Sequence, residues 1–196
     1  DPLPKQFLDY LVGILHGDFG PSYKYTGKEV TDFIKNGFPV SAKVGGITIL
    51  FVVLASIPMG ILAAVKNGKW QDMVVMAIAT IGVTIPSFVI ASVLIYIFSF
   101  KLNWLPTYGL DSWKGYILPV ITLGGYSVSY LARQMRSSLL EVMGQDYIRT
   151  ARAKGLSETK VIFKHALRNA MIPVITVLGP TIANLLTGSF VVEQIF

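Results

Sequence analysis

The chain has 196 residues, of which 53% are hydrophobic and only 14% carry a charge, with a net charge of +6. Soluble domains average about 25% charged residues, so this composition argues against a soluble enzyme, a disordered protein and a collagen-like chain. The chain contains no cysteine, which excludes a disulfide framework and a thiolate metal site.

The polar N-terminal segment is expected to contain one short helix. Thr26 and Glu29 have the spacing of a capping box, which predicts an amphipathic helix over 27–36. Gly37 and Pro39 are expected to end this helix before the first membrane span. The segment either lines an outer vestibule or packs on the membrane surface, and we favour packing.

Four long runs without a charged residue follow, and each approaches or exceeds the about 20 residues needed to cross a bilayer. Lipid offers the backbone no hydrogen-bond partners, so these spans are expected to be helices. Every span contains proline and glycine, which favours a bundle that moves or encloses a path. The sequence predicts an all-α, polytopic membrane helix bundle. Its spans lie near 44–65, 73–100, 115–132 and 169–190.

Basic residues predict the orientation, because loops rich in Lys and Arg stay in the cytoplasm. Segment 133–168 carries eight basic and three acidic residues and is therefore placed in the cytoplasm. Counting back through the spans also places 66–72 there. Residues 1–43, residues 101–114 and the C-terminal end then lie outside.

No ionisable side chain occurs within the four charge-free runs, whereas proton-coupled carriers usually need one. The polar groups that remain are Ser, Thr, Asn and Tyr, which suit a wide, tolerant path but equally suit hydrogen bonds between helices. Energy for uphill transport must then come from outside this chain. The candidate path residues are Thr84, Ser87, Tyr126 and Asn184.

Two short helices are predicted within segment 133–168. Asp146 is expected to cap a helix over 147–154, Gly155 to end it in the left-handed conformation, and Ser157 to cap the next helix. This pair can bind DNA as a helix-turn-helix, lie on anionic lipid, or dock on a cytoplasmic partner. A membrane span begins beside Asn169, so docking in a DNA groove is sterically awkward. We favour the partner.

A motif in the same segment resembles the coupling-loop motif of binding-protein-dependent ABC importer permeases, and more narrowly that of the B-type permease subunits of oligopeptide and dipeptide importers. Segment 133–168 is therefore called the coupling loop below. The family pattern is Glu-Ala-Ala, three residues, Gly, nine residues and Ile-x-Leu-Pro. This chain has Arg149-Thr150-Ala151, then Gly155, then His165-Ala166-Leu167-Arg168. Ala151, Gly155 and Leu167 match, while the Glu, Ile and Pro of the pattern are replaced. Other stretches that resemble the family are Gly17–Ser22, Gly37–Ala42, Ile85–Phe88, Ile172–Val174 and Gly188–Glu193.

The resemblance implies the type I transmembrane fold of ABC importers. That family has six spans, so we expect a fragment without the first and last spans, as both chain ends also suggest. It implies a permease that moves oligopeptides or dipeptides across the cytoplasmic membrane, with nickel or glutathione as alternative substrates within the family. The implied partners are a second permease subunit, two ATP-binding subunits, an extracytoplasmic peptide-binding protein, the peptide and the lipid bilayer, without nucleic acid.

The resemblance also implies that the chain is not an enzyme by itself. It has no Gly-rich phosphate loop, so ATP and Mg are expected on the partner subunits, and no cofactor, catalytic residue or metal ligand is predicted here. Arg149, Arg152 and Lys154 are expected to pair with charges on an ATP-binding subunit, and Tyr147 and Ile148 to anchor it. The full set of predicted coupling residues is Asp146, Tyr147, Ile148, Arg149, Thr150, Ala151, Arg152, Lys154 and Gly155.

An autonomous channel or an ion-coupled secondary carrier with a lipid-bound basic loop remains the main alternative. A simple channel does not need two capped helices in a cytoplasmic loop. An ion-coupled carrier, however, can bind ions with backbone carbonyls around broken helices.

Overall fold

The computed structural model describes residues 1–188 and 190–196, and no strand occurs among them beyond one isolated bridge between Pro21 and Glu29. The predicted all-α bundle is thereby confirmed. The described chain divides into two units, Asp1–Lys43 and Val44–Phe196. The helices are α1 (Leu3–Leu15), α2 (Val30–Val65), α3 (Trp70–Thr84), α4 (Ser87–Leu94), α5 (Ile117–Met143), α6 (Asp146–Ala153), α7 (Glu158–Lys160), α8 (Leu167–Leu186) and α9 (Phe190–Ile195).

Three helical stretches are long and apolar enough to cross a membrane, and a fourth is a bent pair. The continuous stretches are Val30–Val65, Trp113–Met143 and Glu158–Leu186, and the bent pair joins Trp70–Thr84 to Ser87–Lys101. Ser189 lies outside the described residues, together with that part of the predicted span 169–190 and of the Gly188–Glu193 motif.

The predicted capping box is wrong. Helix α2 begins at Val30, so Glu29 precedes it instead of lying in its first turn. The residues before α2 form a small hairpin-like turn, in which the amide of Ser22 donates to the carbonyl of Lys28 at 2.8 Å. The amide of Val30 donates to the carbonyl of Gly20 at 3.0 Å. The backbone of Thr26–Glu29 is held by these bonds and cannot adopt the capping geometry.

The predicted end of a short helix at Gly37 and Pro39 is also wrong. Both residues lie inside the continuous helix α2. A proline removes one backbone donor and crowds the preceding turn, but the surrounding helical bonds persist, and such residues are tolerated in membrane helices. The helix Leu3–Leu15, which was not predicted, precedes this segment and buries none of its residues.

The predicted single span over 73–100 is broken near its middle. Helices α3 and α4 meet at Ile85 and Pro86, and the two halves are bent by 109°. Ile85 is extended, with φ −84° and ψ 127°, as expected for a residue before proline. After α4 the chain continues as a π-helical segment, Ile95–Lys101. The bend leaves backbone and side-chain polar groups at the break facing a cavity described below.

Helix α5 is the centre of the bundle. Its buried residues include Leu131, Met135 and Leu139, which recur at helical spacing on one face. It packs against α3, α4 and α8, and the hydroxyl of Ser138 donates to the carbonyl of Ala170 on α8 at 2.8 Å.

Small residues set the distance between α5 and its neighbours. A Cβ atom on Gly60 of α2 would lie 2.5 Å from the Cβ of Met135 and 2.6 Å from the carbonyl oxygen of Ala132. A Cβ on Gly82 of α3 would overlap the hydroxyl of Ser129. Close approach of this kind is how helices pack without a hydrophobic driving force in lipid.

The coupling loop is more helical than predicted. Helix α5 continues past residue 132 to Met143, because its apolar periodicity persists beneath the basic side chains. The second predicted short helix is not separate either. It begins at Glu158 and continues through the π-helical segment Val161–Ala166 into α8. The loop is therefore one short helix, α6, held between the ends of two long helices.

Candidate coupling segment and translocation path

Helix α6 contains most of the predicted coupling residues. Asp146 is its first residue, and Gln145, with extended backbone, occupies the cap position without a side-chain hydrogen bond. The prediction that Asp146 caps the helix is wrong by one residue. Its carboxylate still lies in the first turn, where its negative charge interacts favourably with the helix dipole. The backbone carbonyl of Asp146 accepts a hydrogen bond from the hydroxyl of Thr150 at 3.0 Å.

Gly155 ends α6 in the left-handed conformation, with φ +77°, as predicted. The amide of Gly155 donates to the carbonyl of Arg152 at 2.9 Å, and the amide of Leu156 donates to Ala151 at 3.4 Å. These two bonds form the Schellman pattern. Ser157 lies at the cap position of the next helix, but its side chain makes no capping bond.

One face of α6 is packed onto the bundle. Ile148 is fully buried and Ala151 nearly so, and both belong to the apolar core formed with residues of α5 and α8. The hydroxyl of Tyr147 accepts a hydrogen bond from the side-chain amide of Asn169 at 2.8 Å, which attaches α6 to the start of α8. Ile148 therefore anchors α6 to its own chain, and its predicted role as an anchor for a partner is wrong.

The basic residues of α6 differ in what they already bind. Arg152 forms a two-bond pair with Glu158, with Nε to Oε1 at 2.7 Å and Nη2 to Oε2 at 3.2 Å. This pair spans the Gly155 turn and stiffens it. Arg149 makes only a 3.3 Å contact with Asp146, and both side chains are largely exposed. Lys154 is exposed and has no ion pair among the described residues.

The first candidate path cavity lies beside the bend between α3 and α4. It has a volume of about 340 Å³ and is lined by Thr84, Ser87 and Tyr126, together with Thr122 and residues around Pro86. The hydroxyl of Thr122 is buried and makes no hydrogen bond in the described structure. Three of the four predicted path residues therefore line one cavity, together with apolar side chains.

A second cavity, of about 350 Å³, lies between α5 and α8 and contains the fourth predicted path residue, Asn184. Tyr126 lines this cavity as well, and Tyr130 extends it along α5. The two tyrosine rings are parallel, with centroids 6.3 Å apart. Tyr130 was not among the predicted path residues, although its spacing of four from Tyr126 places it on the same helix face.

A buried ion pair joins the start of α3 to α5. The guanidinium of Arg136 binds both carboxylate oxygens of Asp72, and its Nη2 also donates to the side-chain oxygen of Asn67 at 2.9 Å. The amide of Gly68 donates to Asp72 at 2.9 Å. Sequence reasoning missed this cluster, because the charges lie in two different predicted cytoplasmic segments and nothing in the chain order indicates their pairing.

Metal chemistry has no visible support in the described ranges. Residues 1–188 and 190–196 contain no group of three or more His, Cys, Asp or Glu side chains placed to hold a metal ion. The two cavities are lined by hydroxyl, amide and aromatic groups among apolar side chains such as Val83, Ile90 and Val177.

A family model described as a binding-protein-dependent transport system inner membrane component matches residues 56–196. Among solved structures, an amino acid ABC transporter with histidines is similar with a TM-score of 0.66 at 17% identity, over 84% of this chain and 72% of that chain. This likeness shows the fold, and it agrees with the predicted ABC importer fold.

Curated relatives are similar along the whole chain. The oligopeptide transport system permease protein OppB of Haemophilus influenzae is 46% identical, and the dipeptide transport system permease protein DppB of Bacillus subtilis is 45% identical. The glutathione transport system permease protein GsiC of Salmonella choleraesuis is 46% identical. Each match covers 100% of this chain but 65%, 64% and 63% of the respective relative, so the chain spans just under two thirds of their length.

Proposed function

The chain belongs to the family of binding-protein-dependent transport system inner membrane components, and we propose that it acts as a permease subunit of an ATP-driven importer of oligopeptides or dipeptides. The observation that carries this proposal is the similarity of the full chain to permeases named for oligopeptides, dipeptides and glutathione. These solutes all contain amide bonds and a free C-terminal carboxylate, and they differ in side chains. The proposed substrate class is therefore short peptides, glutathione included.

The path is proposed to follow the cavities along α5. Thr84, Ser87 and Tyr126 surround the first cavity, and Asn184 the second. Their hydroxyl and amide groups donate to and accept from peptide groups whatever the side chains are, which suits a substrate class of varied sequence. Their uncharged character also keeps binding weak enough for release.

Coupling is proposed to run through α6. A coupling helix must be packed firmly against the transmembrane helices that move, and it must expose one face to the ATP-binding subunit. The buried Ile148 and the Tyr147–Asn169 bond fix α6 to the bundle, while Arg149, Thr150 and Lys154 are exposed. In this proposal α6 docks on one of two ATP-binding subunits, which bind ATP and Mg and hydrolyse the nucleotide.

Helix α5 is proposed to connect the two sites mechanically. It is 27 residues long, which corresponds to about 40 Å of continuous helix. The cavity residue Thr122 is near its first end, and α6 follows its last residue, Met143. A rigid displacement of α6 therefore moves the cavity wall, which is the requirement for alternating access. A second permease subunit is proposed to supply the opposite wall, and an extracytoplasmic binding protein to deliver the peptide.

Charge reversal on the exposed face of α6 tests this function. The full-length protein is co-expressed with its ATP-binding subunits, and co-purification and ATP-dependent peptide uptake into vesicles are measured for Arg149→Glu. We expect both to fall, because Arg149 is exposed and has only one weak partner. Lys114→Glu, a reversal in the loop at the other end of α5, is the matched control and should leave both at the wild-type level.

The opposite result contradicts the proposal. If no ATP-binding subunit co-purifies with the wild-type protein, α6 is not a docking element, and an autonomous channel or carrier with a lipid-bound loop becomes the better account. Association that survives Arg149→Glu places the docking surface elsewhere on the chain.

A further inference from the structure

A row of polar side chains continues along α5 beyond the two path cavities. Tyr126, Tyr130, Arg133 and Ser137 are spaced by four, three and four residues, so they lie on one face of the helix. A third cavity, of about 290 Å³, is lined by Tyr130, Arg133 and Ser137 together with Val83 and Gln134. Tyr126 lines both the first and the second cavity, and Tyr130 lines both the second and the third, so the three cavities are neighbours along α5 and are together called the groove.

The groove changes character at its end nearest the coupling loop. Its first two cavities are lined by uncharged side chains, whereas the third contains the guanidinium of Arg133. Arg133 uses one donor, from Nη2 to the carbonyl oxygen of Ala79 at 3.2 Å. A guanidinium carries five N–H donors, and the others form no hydrogen bond within the part of the chain that the structure describes.

Arg133 differs from its neighbour Arg136 in having no carboxylate partner among the described residues. Arg136 lies three residues later on the same helix, and its charge is matched by the carboxylate of Asp72. Among the described residues, no carboxylate lies within ion-pair distance of Arg133. Arg133 therefore contributes a positive charge, without a carboxylate partner among the described residues, to the lining of a cavity that Tyr130 also lines.

We propose that Arg133 is a carboxylate subsite of the groove, which binds the C-terminal carboxylate of the peptide. The proposal rests on the proposed function, because it names the part of a peptide that this site recognises. A guanidinium binds a carboxylate through two parallel hydrogen bonds, a geometry that a single ammonium group does not reproduce. A free C-terminal carboxylate is the one charged group that oligopeptides, dipeptides and glutathione all carry at the same end of the backbone.

This subsite combines broad specificity for side chains with a fixed position for the C-terminal carboxylate of the peptide. The hydroxyl groups and rings of Tyr126 and Tyr130 accept any peptide backbone, and the guanidinium recognises the chain end without regard to side chains. Because the groove holds no second cation among its lining residues, the carboxylate has one preferred position within it.

Uptake of a peptide and of its C-terminal amide tests the subsite. The complete transporter, with its binding protein and ATP-binding subunits, is reconstituted in vesicles, and ATP-dependent uptake of trialanine and of trialanine amide is measured. For Arg133→Gln we expect the ratio of acid uptake to amide uptake to fall about tenfold relative to wild type, the size of one lost charge-assisted contact. Any preference of the binding protein cancels, because it is the same in every variant.

Two variants control for charge and geometry. Lys114→Gln removes an exposed cation from the other end of α5 and should leave the ratio unchanged. Arg133→Lys keeps the charge but loses the two-pronged geometry, so its ratio should lie between those of wild type and Arg133→Gln. A ratio for Arg133→Gln equal to that of wild type, whether or not both uptakes fall together, overturns the subsite and assigns Arg133 to packing or to a lipid phosphate.

A chemical version remains decisive if Arg133→Gln does not assemble. The 196-residue chain has no cysteine, so Arg133→Cys supplies the one reactive thiol in a transporter whose other cysteines, outside this chain, are replaced. Modification with aminoethyl methanethiosulfonate adds a cation and should raise the acid-to-amide ratio above that of the unmodified variant, while the sulfonatoethyl reagent should lower it. Equal ratios after both reagents overturn the subsite. Failure of the wild-type transporter to take up either peptide instead overturns the proposed function, and the subsite with it.

Discussion

Arg136 of α5 holds Asp72 of α3 through two hydrogen bonds, with Nε 2.6 Å from Oδ1 and Nη2 2.7 Å from Oδ2. The side chain of Asp72 is only 6% exposed, and that of Arg136 is 26% exposed. The pair joins the first turn of α3 to the part of α5 that leads into α6. It therefore fixes the position of α5 relative to one wall of the groove.

Removal of one partner from this pair should be strongly destabilising. Asp72→Asn leaves the guanidinium of Arg136 partly buried without a matching charge, and we expect a loss of about 3–5 kcal/mol in the free energy of unfolding. Thermal unfolding of the purified full-length protein measures the effect. The double variant with Arg136→Gln should cost less than the sum of the single changes, since no unpaired charge then remains.

The exposed pair of Asp146 and Arg149 supplies the control for this measurement. The Asp146 side chain is 96% exposed, so Asp146→Asn should leave the unfolding temperature essentially unchanged. Equal effects of Asp72→Asn and Asp146→Asn would show that burial of the Asp72 pair contributes nothing.

Gly155→Ala should destabilise the turn after α6. An alanine at φ +77° adopts the left-handed conformation at a cost of roughly 1–2 kcal/mol. Gly144 precedes the same helix but has ordinary right-handed backbone, with φ −81° and ψ −11°, so Gly144→Ala should be neutral or slightly stabilising. Unfolding of both variants in denaturant gives the comparison, and equal midpoints would contradict the role of backbone conformation at Gly155.

Gly60→Ala should disrupt the packing of α2 on α5. The added methyl group would lie 2.6 Å from the carbonyl oxygen of Ala132, and backbone cannot move aside cheaply. We expect a loss of about 1–3 kcal/mol from overpacking. Gly46 lies in the same helix with no atom within 4 Å of an added Cβ, so Gly46→Ala should be neutral or stabilising. Thermal unfolding distinguishes the two, and equal losses would indicate that helix propensity, not contact, decides.

Reversal of Arg152 should loosen the Gly155 turn, and a second reversal should restore it. Arg152→Glu replaces the two-bond pair with Glu158 by a repulsive pair, so the amide of Leu156 should exchange with solvent faster. Adding Glu158→Arg should return the exchange rate to the wild-type value. Hydrogen exchange measured by mass spectrometry reports this, with Arg149→Glu as the control that leaves the turn intact. Fast exchange that persists in the double variant would contradict a role for the ion pair.

Much of the fold could be predicted, because its signals are local. Charge-free runs identify membrane helices wherever they occur, and Gly155 is a helix terminator through its own conformational freedom. The errors lie where local signals compete. Pro86 lies at a helix break, where the chain bends by 109°, whereas α2 continues through Pro39. The local proline signal is the same at both positions and does not predict which of them breaks a helix.

The candidate site shows the same division. Thr84, Ser87, Tyr126 and Asn184 were chosen as polar residues within apolar runs, and the structure places all four on two neighbouring cavities. Burial of Ile148 could not be read from α6 alone, because its apolar side chain suits a partner or its own bundle equally well. The different partners of Arg133 and Arg136 could not be read from the sequence either. Arg136 pairs with the carboxylate of Asp72, whereas Arg133 donates only to the backbone carbonyl of Ala79.

The sequence by itself determined the membrane-helix class and the approximate spans, since these depend on composition and on spacing along the chain, and its resemblance to known permeases indicated the coupling-loop motif and the family. Only the tertiary structure decided the bend at Pro86, the pairing of Asp72 with Arg136, the inward face of α6 and the groove that ends at Arg133. These features depend on which faces of distant helices meet. The sequence gives the order of the side chains, but which of them lie on a common surface depends on how the helices pack against one another.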